Sequence, residues 1–181
     1  PLGVSRRGFL LRAAGCAGLL LAPFGAAFAR QSPARSLSFV HTHTGETLSV
    51  GYCSDGVYQA SCIAQVNEFL RDFRTGAVHV IDPHLLDILY SLQVMADRDV
   101  TYEVISGYRS PQTNAALHER SNGVAEHSLH MEGRAIDVRM TGLSTRKLRD
   151  HALSLQGGGV GYYASSDFVH LDTGRVRAWV G

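Results

Sequence analysis

The stretch Ser128-Leu129-His130-Met131-Glu132-Gly133-Arg134-Ala135-Ile136-Asp137 decides how the rest of the chain is read. It leads from a polar loop into Arg134–Met140 (RAIDVRM), whose apolar and β-branched residues predict a strand. Asp137 sits in that strand between Ile136 and Val138, so its side chain projects to the opposite face from theirs. That face must be polar or metal-bound, because an unpaired buried carboxylate is costly. His130 stands in the loop just before the strand. Farther on, Asp167-Phe168-Val169-His170-Leu171-Asp172 predicts another strand, Phe168–Asp172, taken as the last one. On it His170 and Asp172 are two apart and share a face. Two imidazoles and a carboxylate suffice for a three-ligand zinc set with a fourth position open to water, the catalytic layout. A single strand histidine is more often packed or solvated than a ligand, and a single strand aspartate more often serves a turn or an ion pair. Spacing alone leaves both readings open.

Outward from this pair, the chain alternates short strands and helices. Ser36–His43 and Glu46–Cys53 alternate polar and apolar residues around Thr44-Gly45, a hairpin signal. Residues 58–73 place Ile63, Val66, Phe69, Leu70 and Phe73 at helical spacing. Asp82-Pro83 predicts a helix start, with Asp82 as N-cap and Pro83 in the first turn. The stripe that follows is Leu85, Leu86, Ile88, Leu89, Leu92 and Val94 or Met95. Thr101–Ser106 predicts a strand, residues 111–119 a short helix, and Ser144–Leu155 a helix capped by Ser144. Gly157-Gly158-Gly159 turns into Val160–Tyr163. The order predicts an α+β fold, a small antiparallel sheet with flanking helices. His41 and His43 alternate in H-T-H-T, which predicts a solvated face of the first hairpin.

Composition bounds the function. The 181 residues are 45% hydrophobic and 18% charged, the balance of one globular domain. The formal net charge is +1, without the basic excess of a nucleic-acid binder. Residues 1–29 contain Arg6, Arg7 and Arg12, no acid, and an apolar run from about Leu10 to Phe28 that ends in Ala27-Phe28-Ala29. That is the layout of a cleaved signal peptide. Ser5-Arg6-Arg7-Gly8-Phe9-Leu10 resembles the twin-arginine export signal of bacteria. The expected organisation is a signal peptide over 1–29, a linker over 30–35 and one domain over 36–181, exported to the periplasm. No stable membrane insertion is expected after cleavage. Without the leader, 14 basic and 16 acidic residues remain, a net charge of −2. Two cysteines remain, Cys53 and Cys62, and geometry decides whether they pair.

The segment SLHMEGRAID resembles the pattern S-x-H-x-x-G-x-A-x-D of the zinc D-Ala-D-Ala peptidases, which include the VanX-type dipeptidases and share a hedgehog-like fold. A closer resemblance is to MepK-like murein endopeptidases. It is carried by HTGE at 43–46, SGYRSPQTN at 106–114, GVAEHSLH at 123–130, GGVGYY at 158–163 and FVHLDTG at 168–174. It covers nearly all of residues 37–181. The resemblance implies one zinc ion per chain, held by His130, Asp137 and His170. It implies Arg109 over the scissile carbonyl, Ser128 and Asp172 as partners of the ligands, and Asp167 as general base in place of a family glutamate. Asp172 or a metal hydroxide are the alternatives for the base. Tyr108, Tyr162, Tyr163 and His127 are expected on the walls of the substrate groove. The implied activity is hydrolysis of peptide cross-links in peptidoglycan, between diaminopimelate residues, with the D-Ala-diaminopimelate link also open. A D-Ala-D-Ala carboxypeptidase or dipeptidase and a non-catalytic peptidoglycan-binding module are the competing readings.

Overall fold

The computed structural model describes residues 34–120 and 124–181. The expected signal peptide lies outside the described residues, as do residues 30–33 of the expected linker. Arg35, expected to end that linker, instead opens the first strand and pairs with Asp87 at 2.6 Å.

In chain order the elements are β1 (Arg35–His41), β2 (Thr47–Ser54), β3 (Val57–Tyr58), α1 (Ala60–Phe69), α2 (Pro83–Ala96), β4 (Tyr102–Ser106) and α3 (Pro111–Arg120). A 3₁₀ turn (Leu129–Glu132), β5 (Ala135–Met140), α4 (Thr145–Leu155), β6 (Gly159–Tyr163), β7 (Phe168–Asp172) and β8 (Arg177–Val180) follow. The strands form one eight-stranded sheet in the order β3-β2-β1-β4-β5-β7-β6-β8. The α+β expectation holds, but the sheet is neither small nor purely antiparallel. β1 lies parallel to β4 and β6 parallel to β8. The first parallel pair needs a long crossover, which α1 and α2 supply. The second arises because β8 passes β7 and pairs with the free edge of β6. Among the described residues no helix is long and apolar enough to cross a membrane.

The helices cover the apolar face of the sheet. Leu85, Leu86, Leu89 and Leu92 of α2 are buried against Leu37 and Phe39 of β1 and the rest of the core, with Leu148 and Ala152 of α4 beside them. The α2 stripe is shorter than expected, since Val94 and Met95 lie exposed in the last turn. As expected, the Asp82 side chain accepts from the amide of His84 at 3.0 Å, and Pro83 stands in the first turn. Two buried phenols pin α2 to the sheet. Tyr52 donates to the Leu86 carbonyl at 3.2 Å and Tyr102 to that of Leu89 at 2.6 Å. His41 is buried against Phe69 and Phe73 rather than solvated, while His43 is exposed and stacks on Phe73. Cys53 and Cys62 are free thiols.

One clamp positions the segment after β4. Helix α1 stops at Phe69, short of the expected 73, and the Leu70 carbonyl accepts from the Tyr108 amide at 2.8 Å. Gly107 permits that approach, because a Cβ there would lie 2.6 Å from the Leu70 oxygen. Buried Asp72 then takes the amide of Ser110 at 2.9 Å, its hydroxyl at 2.6 Å and the amide of Arg74 at 3.0 Å. Burial pushes the Asp72 carboxyl up, but the hydrogen bonds from Ser110, Thr113 and Arg74 win, taking it from 3.8 to about 2. A carboxyl lowered on folding stabilises above its unfolded value and loses that contribution as the pH falls through its folded value. Asp72 therefore contributes fully above about pH 5 and progressively less toward about pH 2. In chemical denaturation at pH 5 and pH 2.5, Asp72→Asn is expected to lose less stability on acidification than the wild type. An equal loss in both proteins would remove Asp72 from the clamp.

Candidate metal centre

Sheet register builds the site. Ser106 of β4, Asp137 of β5, His170 of β7, Gly161 of β6 and Trp179 of β8 lie in one row across five strands. The next row is Ala135, Asp172, Gly159 and Arg177. A bulge between Val104 and Ser106 brings Ser106 opposite Asp137. His130 comes from the 3₁₀ turn that precedes β5. Ser128 caps that turn by accepting from the His130 amide at 3.4 Å, and Gly133 ends it at φ 66°. A Cβ at Gly133 would also collide with the Val80 carbonyl, so the turn cannot be closed by another residue without a shift.

His130, Asp137 and His170 are all buried, and one donor atom from each lies within 4.8 Å of the others. His130 Nε2 is 3.2 Å from His170 Nδ1 and 3.3 Å from Asp137 Oδ1, and His170 Nδ1 is 2.9 Å from the same oxygen. The far ring nitrogens have their own acceptors. His130 Nδ1 donates to the Gly107 carbonyl at 2.7 Å, and His170 Nε2 donates to Asp172 Oδ2 at 3.0 Å. With those protons placed, both facing nitrogens present lone pairs to each other and to a carboxylate oxygen. Three acceptors at such distances repel unless a cation or a proton lies among them. Burial pushes His130 down, toward the neutral form that ligates. His170 resists burial and moves up, through its bonds to Asp137 and Asp172. Asp137 lies well below the carboxylate range despite its burial, because the two histidines favour the anion.

Arg109 lines the cleft over this centre and grips the centre itself. Its Nη2 donates to Asp137 Oδ2 at 2.9 Å and its Nε to Ser106 Oγ at 3.1 Å. The pairing leaves Oδ1 as the oxygen that faces the histidines. Asp172 is fully buried and accepts from His170, Arg177 and the amides of Gly159 and Gly174. The cleft holds about 480 Å³, and Ser128 and exposed His127 stand on its walls.

Three expected residues are elsewhere. Asp167 is at the end of the β6–β7 turn with φ 52°, and its carboxylate accepts from Thr145 Oγ1 at 2.7 Å and from Arg139 at 3.5 Å. Neither partner lines the cleft. The reason is strand parity: Phe168, His170 and Asp172 face the centre, and Asp167 continues the opposite series of Val169 and Leu171. Tyr108 is buried and stacks on His79 at 4.7 Å, outside the cleft. Tyr162 lies under the Arg149 guanidinium of α4, whereas Tyr163 lines the cleft as expected. The wall that sequence reasoning missed is β8. Trp179 stands 5.2 Å from the His170 ring and donates to the Tyr163 hydroxyl at 3.1 Å, and Arg177 pairs with Asp172. The signal for it was Gly159 and Gly161. A Cβ at Gly161 would lie 2.6 Å from the indole, and one at Gly159 would strike the Arg177 guanidinium.

Because Asp167 faces away, Asp167→Asn is expected to keep hydrolytic activity within about threefold of wild type, the range of an ordinary surface change. Asp172→Asn is expected to lower metal affinity about 10- to 100-fold, the usual effect of removing a ligand's anchor. Steady-state rates and metal titrations read both, and a collapse of activity in Asp167→Asn with metal retained would restore it to the reaction.

Comparisons with known proteins identify the family. The sequence model of the family described as peptidoglycan L,D-endopeptidase MepK matches residues 29–179. The Escherichia coli K12 protein named peptidoglycan L,D-endopeptidase MepK is 42% identical over 145 residues, 80% of this chain and 80% of that protein. The Haemophilus influenzae protein named probable peptidoglycan L,D-endopeptidase MepK is 42% identical over 148 residues, 81% of this chain and 80% of its own. No solved structure matches the chain significantly. The matched span takes in the turn of His130, the strands of Asp137 and His170 and nearly all of β8, so the chain belongs to the peptidoglycan L,D-endopeptidase MepK family.

Proposed function

We propose that this chain is a zinc endopeptidase that hydrolyses peptide cross-links in peptidoglycan, at the bond between diaminopimelate residues. The observation that carries the reading is the convergence of three buried donor atoms whose tautomers are fixed from behind. The donor set fits zinc. A tetrahedral zinc with bonds of about 2.0–2.1 Å holds its ligand atoms about 3.3 Å apart. The three separations here are 2.9, 3.2 and 3.3 Å. The chemistry such an ion supplies is Lewis-acid polarisation of a carbonyl and acidification of a water to a pKa of about 7.

The chain's own residues do the rest. His130 and His170 offer Nε2 and Nδ1, and Gly107 and Asp172 keep those atoms unprotonated. Arg109 holds Asp137 in its ligating orientation and faces the cleft, where its Nη1 donors, without a partner among the described residues, suit a carbonyl oxygen that gains charge. His127, an exposed cleft imidazole outside the ligand set, is assigned on this reading to move a proton to the leaving amine. The peptidoglycan substrate places the working domain in the periplasm, with the twin-arginine leader as its route.

The test is digestion of purified cross-linked wall fragments with added zinc and with chelator, read by mass spectrometry. Zinc-dependent loss of cross-linked dimers is expected. His130→Ala is expected to fall by about three orders of magnitude, roughly 4 kcal/mol of barrier, with its metal lost. Release of terminal D-alanine alone would assign a carboxypeptidase instead, and wall binding without any product would leave only a binding module.

A further inference from the structure

The β8 wall carries a second basic group whose hydrogen bonds can be counted. A guanidinium has five N–H donors in a rigid plane. In Arg177, Nη1 donates to Asp172 Oδ1 at 3.0 Å and to the Arg175 carbonyl at 3.1 Å. Nη2 donates to Asp172 Oδ2 at 2.7 Å. Asp172 therefore occupies the edge between the two terminal nitrogens. The two donors left over are Nε–H and the second N–H of Nη2, and among the described residues neither takes a partner. They lie on one edge and point the same way. That is the fork that receives a carboxylate through two parallel hydrogen bonds.

The guanidinium is held in place by its surroundings. Arg177 lines the cleft, one third of its side chain remains exposed, and its guanidinium lies 4.9 Å over the Trp179 ring. Fully buried Asp172 anchors it from beneath, and Gly159 leaves the space in which it lies. The same Asp172 oxygen also receives His170 Nε2 at 3.0 Å. The open edge is therefore only one shared carboxylate away from a ligand of the centre. A substrate carboxylate seated on it would share the cleft with the centre. No acidic side chain except the ligand Asp137 lines this cleft among the described residues, so nothing of the chain's own competes for the seat.

We infer that Arg177 is a specificity-determining residue that binds a carboxylate on the carbon bearing the scissile amide nitrogen. The inference rests on the endopeptidase reading and deepens it. It makes the amine-side residue an α-amino-acid centre with a free carboxylate, as in diaminopimelate, rather than a neutral carboxamide.

The experiment compares two cross-linked peptides that differ only at that group, one with the free carboxylate and one with the carboxamide. Wild type, Arg177→Lys and Arg177→Gln are assayed with zinc, and metal content is measured for each. The wild type is expected to favour the carboxylate in kcat/KM by about 10- to 100-fold, the size of a charge-assisted pair of hydrogen bonds. Arg177→Lys keeps a charge beside Asp172 but lacks the fork, and its preference is expected to collapse toward one with metal retained. The preference is a ratio within one protein, so partial damage to the centre cancels. Equal cleavage of both peptides by the wild type, or a full preference in either variant, would overturn the assignment of Arg177 alone. Cleavage of neither peptide by the zinc-loaded wild type would overturn the endopeptidase reading, and this inference with it.

Discussion

Two imidazole lone pairs and a carboxylate oxygen are held in mutual contact inside a buried site, and the surrounding structure is arranged around that repulsion. Nothing in the sheet alone would favour it. Each donor is forced inward by a bond on its far side. The Gly107 carbonyl and Asp172 fix the two rings, and Arg109 fixes the carboxylate. Those fixings are in turn held. Asp72 and Leu70 clamp the segment that carries Gly107 and Arg109, and Arg177 and two glycine amides saturate Asp172. A cation at the meeting point turns the repulsion into coordination. On the proposed reading, this packing would favour a bound cation at the meeting point.

Local signals made much of this legible. A carboxylate between Ile136 and Val138 had to face a polar environment, and the i, i+2 pair His170 and Asp172 had to share a face. Both statements depend only on strand geometry. Asp82-Pro83 announced α2 by capping chemistry alone. The mixed sheet was not legible in the same way, because parallel pairing of β1 with β4 is decided by contacts across a crossover of two helices. Strand β8 was hidden for a similar reason. Four residues carry little periodicity, and their role comes from the neighbour they lie against.

Two misplacements had a local remedy. Strand parity sends Asp167 away from His170 and turns Tyr162 toward α4 while Tyr163 stays on the cleft. The resemblance to a family supplied Asp167 as base, and the register of this chain overrules the transfer. The glycines of GGVGYY acquire a physical meaning at the same time. They are bare positions on the sheet floor over which Arg177 and Trp179 lie, so the motif and the missed strand are two halves of one wall. The cleft is basic although the domain has no basic excess. Two cationic groups, Arg109 and Arg177, line it.

X-ray absorption at the zinc edge, on protein loaded with one equivalent of zinc, tests the central claim most directly. Two imidazole nitrogens and a carboxylate oxygen at about 2.0–2.1 Å in a four-coordinate shell, one ion per chain, are the predicted result. A shell containing sulfur, or a chain that takes up no stoichiometric zinc, would contradict it.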